Sequence, residues 1–119
     1  MIQLTDIAFD GLTPIDGYGP GFFRVDGKVL HGAVLVTSTS ALVWGGYEDT
    51  APLIALADQI DVLFLGTGTS IANPPAALRQ KLEEAGIGVE AMATDAAART
   101  YNVLLSEGRR IAAALLPVE

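Results

Sequence analysis

Ile60-Asp61-Val62-Leu63-Phe64-Leu65-Gly66-Thr67-Gly68-Thr69-Ser70 is the stretch from which the fold of this chain can be worked out. Val62 to Leu65 is a continuous apolar run of strand formers closed by glycine, the pattern of a strand covered on both faces. Gly66 to Thr69 then turns the chain into a loop at the strand's carboxyl end, the side of an open α/β sheet where ligands bind. Downstream, Asn73-Pro74-Pro75 opens a helix, with Asn73 as its cap, Pro74 at the first helical position and Gly86 as its stop. Leu78, Leu82 and Ala85 form the inward stripe of that helix. Ile87 to Met92 reads as a strand. Thr94 or Asp95 caps a further helix that runs to Glu107 and ends at Gly108, and Arg109 to Leu116 is the last strand, stopped by Pro117. The second half is therefore strand, helix, strand, helix, strand, at spacings that suit parallel crossovers.

Upstream the grammar is antiparallel. Ile2-Gln3-Leu4 and Ile7-Ala8-Phe9 read as a ragged first strand, and Pro14 to Gly21 as a turn-rich segment anchored by Ile15 and Tyr18. Phe22 to Val36 is a hairpin about Asp26-Gly27, a dipeptide that tolerates the positive φ of a type I′ turn. Its second arm, Val29 to Val36, becomes apolar on both faces and should enter the sheet interior. Ala41 to Trp44 is another short strand. Asp49 to Gln59 switches to helical spacing through Leu53, Leu56, Ala57 and Ile60, with Pro52 in the first turn. The expectation is one α/β domain over residues 1–119: three layers, a mixed β-sheet, an antiparallel N-terminal hairpin and a C-terminal βαβαβ unit.

Composition narrows the function classes. Fourteen acidic residues against seven basic ones give a net charge of −7, which opposes binding to nucleic acid. Arg109-Arg110, with Arg99 nearby in sequence, is the densest basic feature. The absence of cysteine removes disulfides, thiolate chemistry and Cys-based metal sites, and the single histidine, His31, removes a multi-histidine metal site within one chain. The longest uninterrupted apolar run, Ile111 to Val118, contains Pro117 and falls far short of the roughly 20 residues of a membrane span. The amino terminus carries neither a secretory nor a transit pattern, so the chain is expected to be cytoplasmic.

No residue set carries a complete catalytic pattern. Gly66-x-Gly68 after a buried strand imitates a dinucleotide loop, but Ile71 stands where the third glycine belongs. Pro74 and Pro75 also remove backbone donors at the expected helix start. No lysine follows in the Walker position, so NAD, FAD and ATP are not expected to bind. His31 lacks a serine elbow to serve and reads as a partly buried strand residue. The carboxylates lie at turns, caps and helix faces. Glu107, three residues before Arg110, is the exception, and the two are expected to form a structural ion pair across Gly108. In the helix from Thr94, Ala97, Tyr101 and Leu104 form the core stripe, while Asp95, Arg99, Asn102 and Ser106 share the polar face.

Ile15-x-x-Tyr18, Gly21-Phe22, Gly66-Thr67-Gly68, Gly86-Ile87-x-Val89-Glu90, Thr94-x-x-Ala97, and Asn102-x-Leu104-x-x-Glu107-Gly108-Arg109 with Ala112 to Pro117 occur together and in order. Taken as a set, the chain resembles a domain-of-unknown-function family found in bacteria, archaea and eukaryotes. Its eukaryotic members include the mitochondrial respiratory complex I assembly factor 3 and the adipogenesis-associated protein. The resemblance implies a three-layer α/β fold, no established enzymatic activity and no cofactor. It also implies protein partners, respiratory-complex subunits among them. The family's shared positions match Gly66, Thr67, Gly68, Thr94, Asn102, Glu107 and Arg109. Two functions are carried forward from here. One is assembly of a respiratory NADH dehydrogenase through protein contacts, without catalysis. The other is a small-molecule, anion-binding or enzymatic pocket under the Gly66–Ser70 loop, formed by Gly66, Thr67, Gly68, Thr94 and Asn102.

Overall fold

The computed structural model of this chain describes residues 2–3 and 11–119. The expected strand at Ile7-Ala8-Phe9 lies outside the described residues. In chain order the strands are β1 (Ile2–Gln3), β2 (Ile15–Gly19), β3 (Phe22–Val25), β4 (Lys28–His31), β5 (Val34–Val36) and β6 (Ala41–Val43). They are followed by α1 (Ala51–Ile54), β7 (Val62–Thr67), α2 (Ala76–Glu84), β8 (Gly88–Met92), α3 (Thr94–Ser106) and β9 (Ile111–Leu116). Strands β1-β2-β3-β4 form an antiparallel sheet, and a second, mixed sheet has the order β6-β5-β9-β7-β8.

The quoted stretch is the centre of the mixed sheet. β7 pairs in parallel with β8 on one side and β9 on the other, and Leu63 and Leu65 are fully buried. Burying each such side chain contributes about 1.5–3 kcal/mol. From β7 the chain steps outward to β8 through α2, then returns past β7 to β9 through α3. Crossovers of one hand that run in opposite directions place their helices on opposite faces, and the two cores show that arrangement. Leu63, Leu65, Ala112 and Ala114 meet Leu53, Leu78 and Leu82 from α1 and α2. On the other face Phe64, Ala113 and Leu115 meet Ala97, Ala98, Tyr101 and Leu105 of α3, together with Ile15, Tyr18, Phe23 and Val25 of the antiparallel sheet. The three-layer α/β arrangement is thus present, with the antiparallel strands closing the α3 face.

Several local readings change. Asp26 and Gly27 both take positive φ, 52° and 75°, as the hairpin turn requires. The second arm is not one strand, however. Gly32, at φ 87°, breaks it, so that β4 stays in the antiparallel sheet while β5 enters the mixed sheet between β6 and β9. The segment expected to be turn-rich is strand β2, with a register shift between Ile15 and Gly17. The helix expected over 49–59 is regular only for Ala51–Ile54. Beyond it Leu56, Ala57 and Gln59 donate to carbonyls three residues back, so the chain continues as tight turns.

α2 starts at Ala76 with Pro75 in the cap position and no side-chain cap, so Asn73 does not cap it. Both prolines precede the helix, and the first helical N–H groups are therefore intact. That corrects the donor-loss argument made from the sequence. At the other end Ile87 N–H donates to Leu82 O and Gly86 N–H to Glu83 O, a Schellman closure with Gly86 at φ 86°. Arg109, Gly108, Leu104 and Leu105 repeat the same closure at the end of α3.

Candidate functional site

The carboxyl ends of β7 and β9 meet the start of α3 at Gly66, Thr67, Gly68 and Thr94. Thr94 is fully buried. Its Oγ1 accepts the Gly68 N–H at 2.9 Å and donates to Leu116 O at 2.6 Å, while its own N–H donates to Gly68 O at 2.9 Å. One threonine therefore ties β7, β9 and α3 together. A Cβ on Gly66 would lie 2.7 Å from Thr94 Oγ1, 2.7 Å from Leu115 Cδ2 and 3.1 Å from Thr94 Cα, so glycine is required for this approach. Gly68, at φ 99°, turns the chain out of the sheet in a conformation that other residues reach only with strain.

Thr67 organises the loop that follows. Its hydroxyl donates to Ser70 O at 2.7 Å and accepts the Ala72 N–H at 3.1 Å. An open cleft of about 480 Å3 lies above, lined by Thr69, Ser70, Leu116, Pro117 and Glu119 among others. Glu119 N–H donates to Thr69 Oγ1 at 2.9 Å, which lays the chain's last residues along the cleft. At the start of α3, Asp95 Oδ1 accepts the Ala96 N–H at 2.8 Å, and Thr94 N–H is already committed to Gly68. The donors that an anion would use at this helix end are thus partly filled from within the chain.

Asn102 does not join this group. It lies two turns along α3, 2 % exposed, with Oδ1 accepting the Ile15 N–H at 2.9 Å and Nδ2 donating to Ile15 O at 2.8 Å. The polar-face reading of Asn102 is corrected: its face of α3 is inside, against β2. A neighbouring residue, missed as a polar anchor, does similar work. The Tyr101 hydroxyl lies 2.9 Å from both Thr13 O and Thr37 O and holds the two segments together. No spacing rule marks these two residues, because their partners are 64 to 88 positions away.

The Glu107–Arg110 pair is also replaced. Arg110 donates from Nη2 to Asp58 O at 2.7 Å and from Nε to Gln59 O at 3.1 Å, and Glu107 is exposed. Among the described residues the ion pair formed is Asp95–Arg99, at 3.8 Å. His31 is exposed at the end of β4, its ring tilted against Phe22 with 6.5 Å between centroids. Of the aromatics in the N-terminal segment, Tyr18 and Phe23 are buried and Phe22 is half-buried.

Burial pushes the Tyr101 hydroxyl well above its ordinary range and raises Tyr47 as well. Tyr18 is raised mainly by burial, with Asp95 adding to the effect and Arg99 opposing it. These shifts keep hydroxyls protonated and supply no general base at neutral pH. Among the described residues no group of three or more His, Asp or Glu side chains is placed to hold a metal ion.

Residues 15–116 match the family described as Protein of unknown function (DUF498/DUF598). The chain is 54 % identical over 110 residues to an uncharacterized protein of Rhodobacter capsulatus, covering 92 % of this chain and 89 % of that one. It is 36 % identical over 112 residues to the NADH dehydrogenase (ubiquinone) 1 alpha subcomplex assembly factor 3 of Danio rerio, covering 88 % of this chain and 64 % of the factor. For the human factor the identity is 31 % over 110 residues, and the match spans 60 % of the factor's length. Among solved structures, a crystal structure described as an outer membrane protein from Bartonella henselae superposes with a TM-score of 0.82 at 38 % identity, covering 94 % of this chain and 100 % of that one. An Mth938-like domain of Bordetella pertussis, solved by NMR, gives 0.74 at 31 % identity, covering 98 % and 92 %.

Proposed function

The chain belongs to the DUF498/DUF598 family of proteins of unknown function, and from that premise we propose that it assists assembly of a respiratory NADH dehydrogenase through protein contacts rather than by catalysis. The observation that carries this reading is the 36 % identity over 112 residues to a protein named as an assembly factor of that enzyme. The interior of the fold supports it. The buried polar groups of Thr94, Tyr101 and Asn102 are bonded to backbone and serve the architecture. The outer surface carries apolar side chains suited to contact: Leu42 and Val43 on edge strand β6 are 53 % and 65 % exposed, and Ile71 in the glycine loop is 71 % exposed. Among the described residues no helix is long and apolar enough to cross a membrane. We place the protein in the cytoplasm, with respiratory-complex subunits as its partners.

The direct check is native co-purification. A tagged full chain, recovered from respiring cells under mild detergent, is expected to bring down NADH dehydrogenase subunits in excess over an untagged control. Recovery without enrichment of any such subunit contradicts the reading. The cleft above Gly66–Ser70 favours a second reading, a small ligand bound at the carboxyl end of β7. Its polar contacts would come from Thr69 and Ser70, because the Thr67 and Thr94 hydroxyls are committed within the chain. Calorimetric titration with NAD, FAD and ATP is expected to show no binding, and micromolar affinity for any of them would bring this second reading forward.

A further inference from the structure

A second cavity lies at the opposite end of the mixed sheet. The β5–β6 turn, the tight turns after α1 and the corner from α3 into β9 surround its volume of about 250 Å3. Its apolar lining comes from Leu56, Ile60, Leu105 and Ile111, all nearly or fully buried. Its polar lining comes from Ser38, Thr39, Gln59, Arg109 and Arg110. The chain has twice as many acidic as basic residues, yet two of its seven cations line this one cavity and no carboxylate is among the described lining residues.

Arg110 is fixed in place by its bonds to Asp58 O and Gln59 O, which use two of its five N–H donors. Arg109 is exposed, and no ion pair among the described residues holds its guanidinium. The end of α3 opposes an anion here, because a helix carboxyl terminus carries roughly half a negative charge. That effect is blunted, since Gly108 and Arg109 N–H groups already cover the Leu105 and Leu104 carbonyls. Two full positive charges with planar, fork-like donors outweigh the remainder.

We propose that this cavity binds a small organic anion, a carboxylate or phosphate on a short apolar stem. The anionic head sits between Arg109, Arg110 and the Ser38 and Thr39 hydroxyls, and the stem lies against Leu56, Ile60 and Leu105. The volume is below the roughly 300–1,000 Å3 of drug-sized sites, which sets the ligand's size. Binding here is independent of the assembly reading, since it uses neither the glycine loop nor the β6 edge.

Amide NMR titration of the full chain at low ionic strength tests it, with hexanoate, hexyl phosphate, inorganic phosphate and hexanol as probes. Hexanoate, hexyl phosphate or both are expected to give saturable shifts confined to Ser38–Thr39, Ile60 and Gly108–Ile111. Inorganic phosphate and hexanol are expected to bind at least about tenfold more weakly. Arg109→Gln, at an exposed position, should leave the rest of the spectrum in place and weaken binding about tenfold, the loss of one charge-assisted contact. A response to hexyl phosphate alone supports the proposal and identifies the head group as phosphate. Three results overturn it: no saturable shifts with either amphiphile, an unchanged affinity in Arg109→Gln, or inorganic phosphate binding as tightly as hexyl phosphate.

Discussion

Asn102 satisfies both backbone groups of Ile15 and is itself 2 % exposed, so each half of its amide has one specific partner. Asn102→Ala leaves a buried N–H and a buried C=O of Ile15 unpaired and is expected to cost about 2–4 kcal/mol in urea unfolding. Glu107→Ala should change stability by less than about 0.5 kcal/mol, because its carboxylate is exposed and Arg110 is engaged elsewhere. A reversed ranking of the two would mean that the interior polar contacts are misassigned. Tyr101 makes a statement about pH. Burial raises its pKa above the ordinary 10.0, so above that pH the unfolded chain releases a proton that the folded chain keeps. Stability should be unaffected by this group below pH 10 and fall above it, by up to about 1.4 kcal/mol per pH unit. Tyr101→Phe should be less stable at neutral pH and lose stability less steeply above pH 10. Equal slopes for the two proteins would show that this hydroxyl is not held protonated by the fold.

At the scale of elements, the sequence was most readable where the period was long and the boundaries were marked. β7, α2, β8, α3 and β9 lie where apolar runs and glycine stops placed them, because a buried parallel strand and a Schellman-closed helix both leave local marks. The antiparallel half was less readable. Gly32 looks like any glycine within an apolar run, and only the competition between two sheets for its two flanks makes it a corner. The polar-face reading of Asn102 failed for a related reason, and the hydroxyl contacts of Tyr101 went unread although its place in the core stripe is borne out. The 3.6-residue period identified α3, but the face of a helix that accepts polar groups depends on what packs against it, here the backbone of β2 and the Thr37 turn. Of the glycine-loop set, the structure brings Gly66, Thr67, Gly68 and Thr94 together and leaves Asn102 apart. The corner is testable. Gly32→Ala meets no atom within 4 Å, so its cost is backbone strain alone, about 1–2 kcal/mol. Thermal unfolding unchanged by that substitution would show that the positive φ is not needed to part the two sheets.

On the scale of the whole molecule, the buried side chains of Thr94, Tyr101 and Asn102 are spent on architecture, and the proposal that this acidic chain works through protein contacts starts from there. The net charge of −7 repels nucleic acid and anionic surfaces, and the exposed apolar residues on β6 and the glycine loop offer places for protein contact. The match spans 64 % of the Danio rerio factor's length, so what that factor does as a whole is carried to this chain as a proposal that needs its own test. The most direct one is the amount of assembled NADH dehydrogenase in respiring cells that lack this gene, read on native gels by in-gel activity, with subunit transcripts measured alongside. The account predicts a loss of the assembled enzyme with unchanged transcripts, restored when the gene is returned. Normal levels of the assembled enzyme in the deletion strain would contradict it.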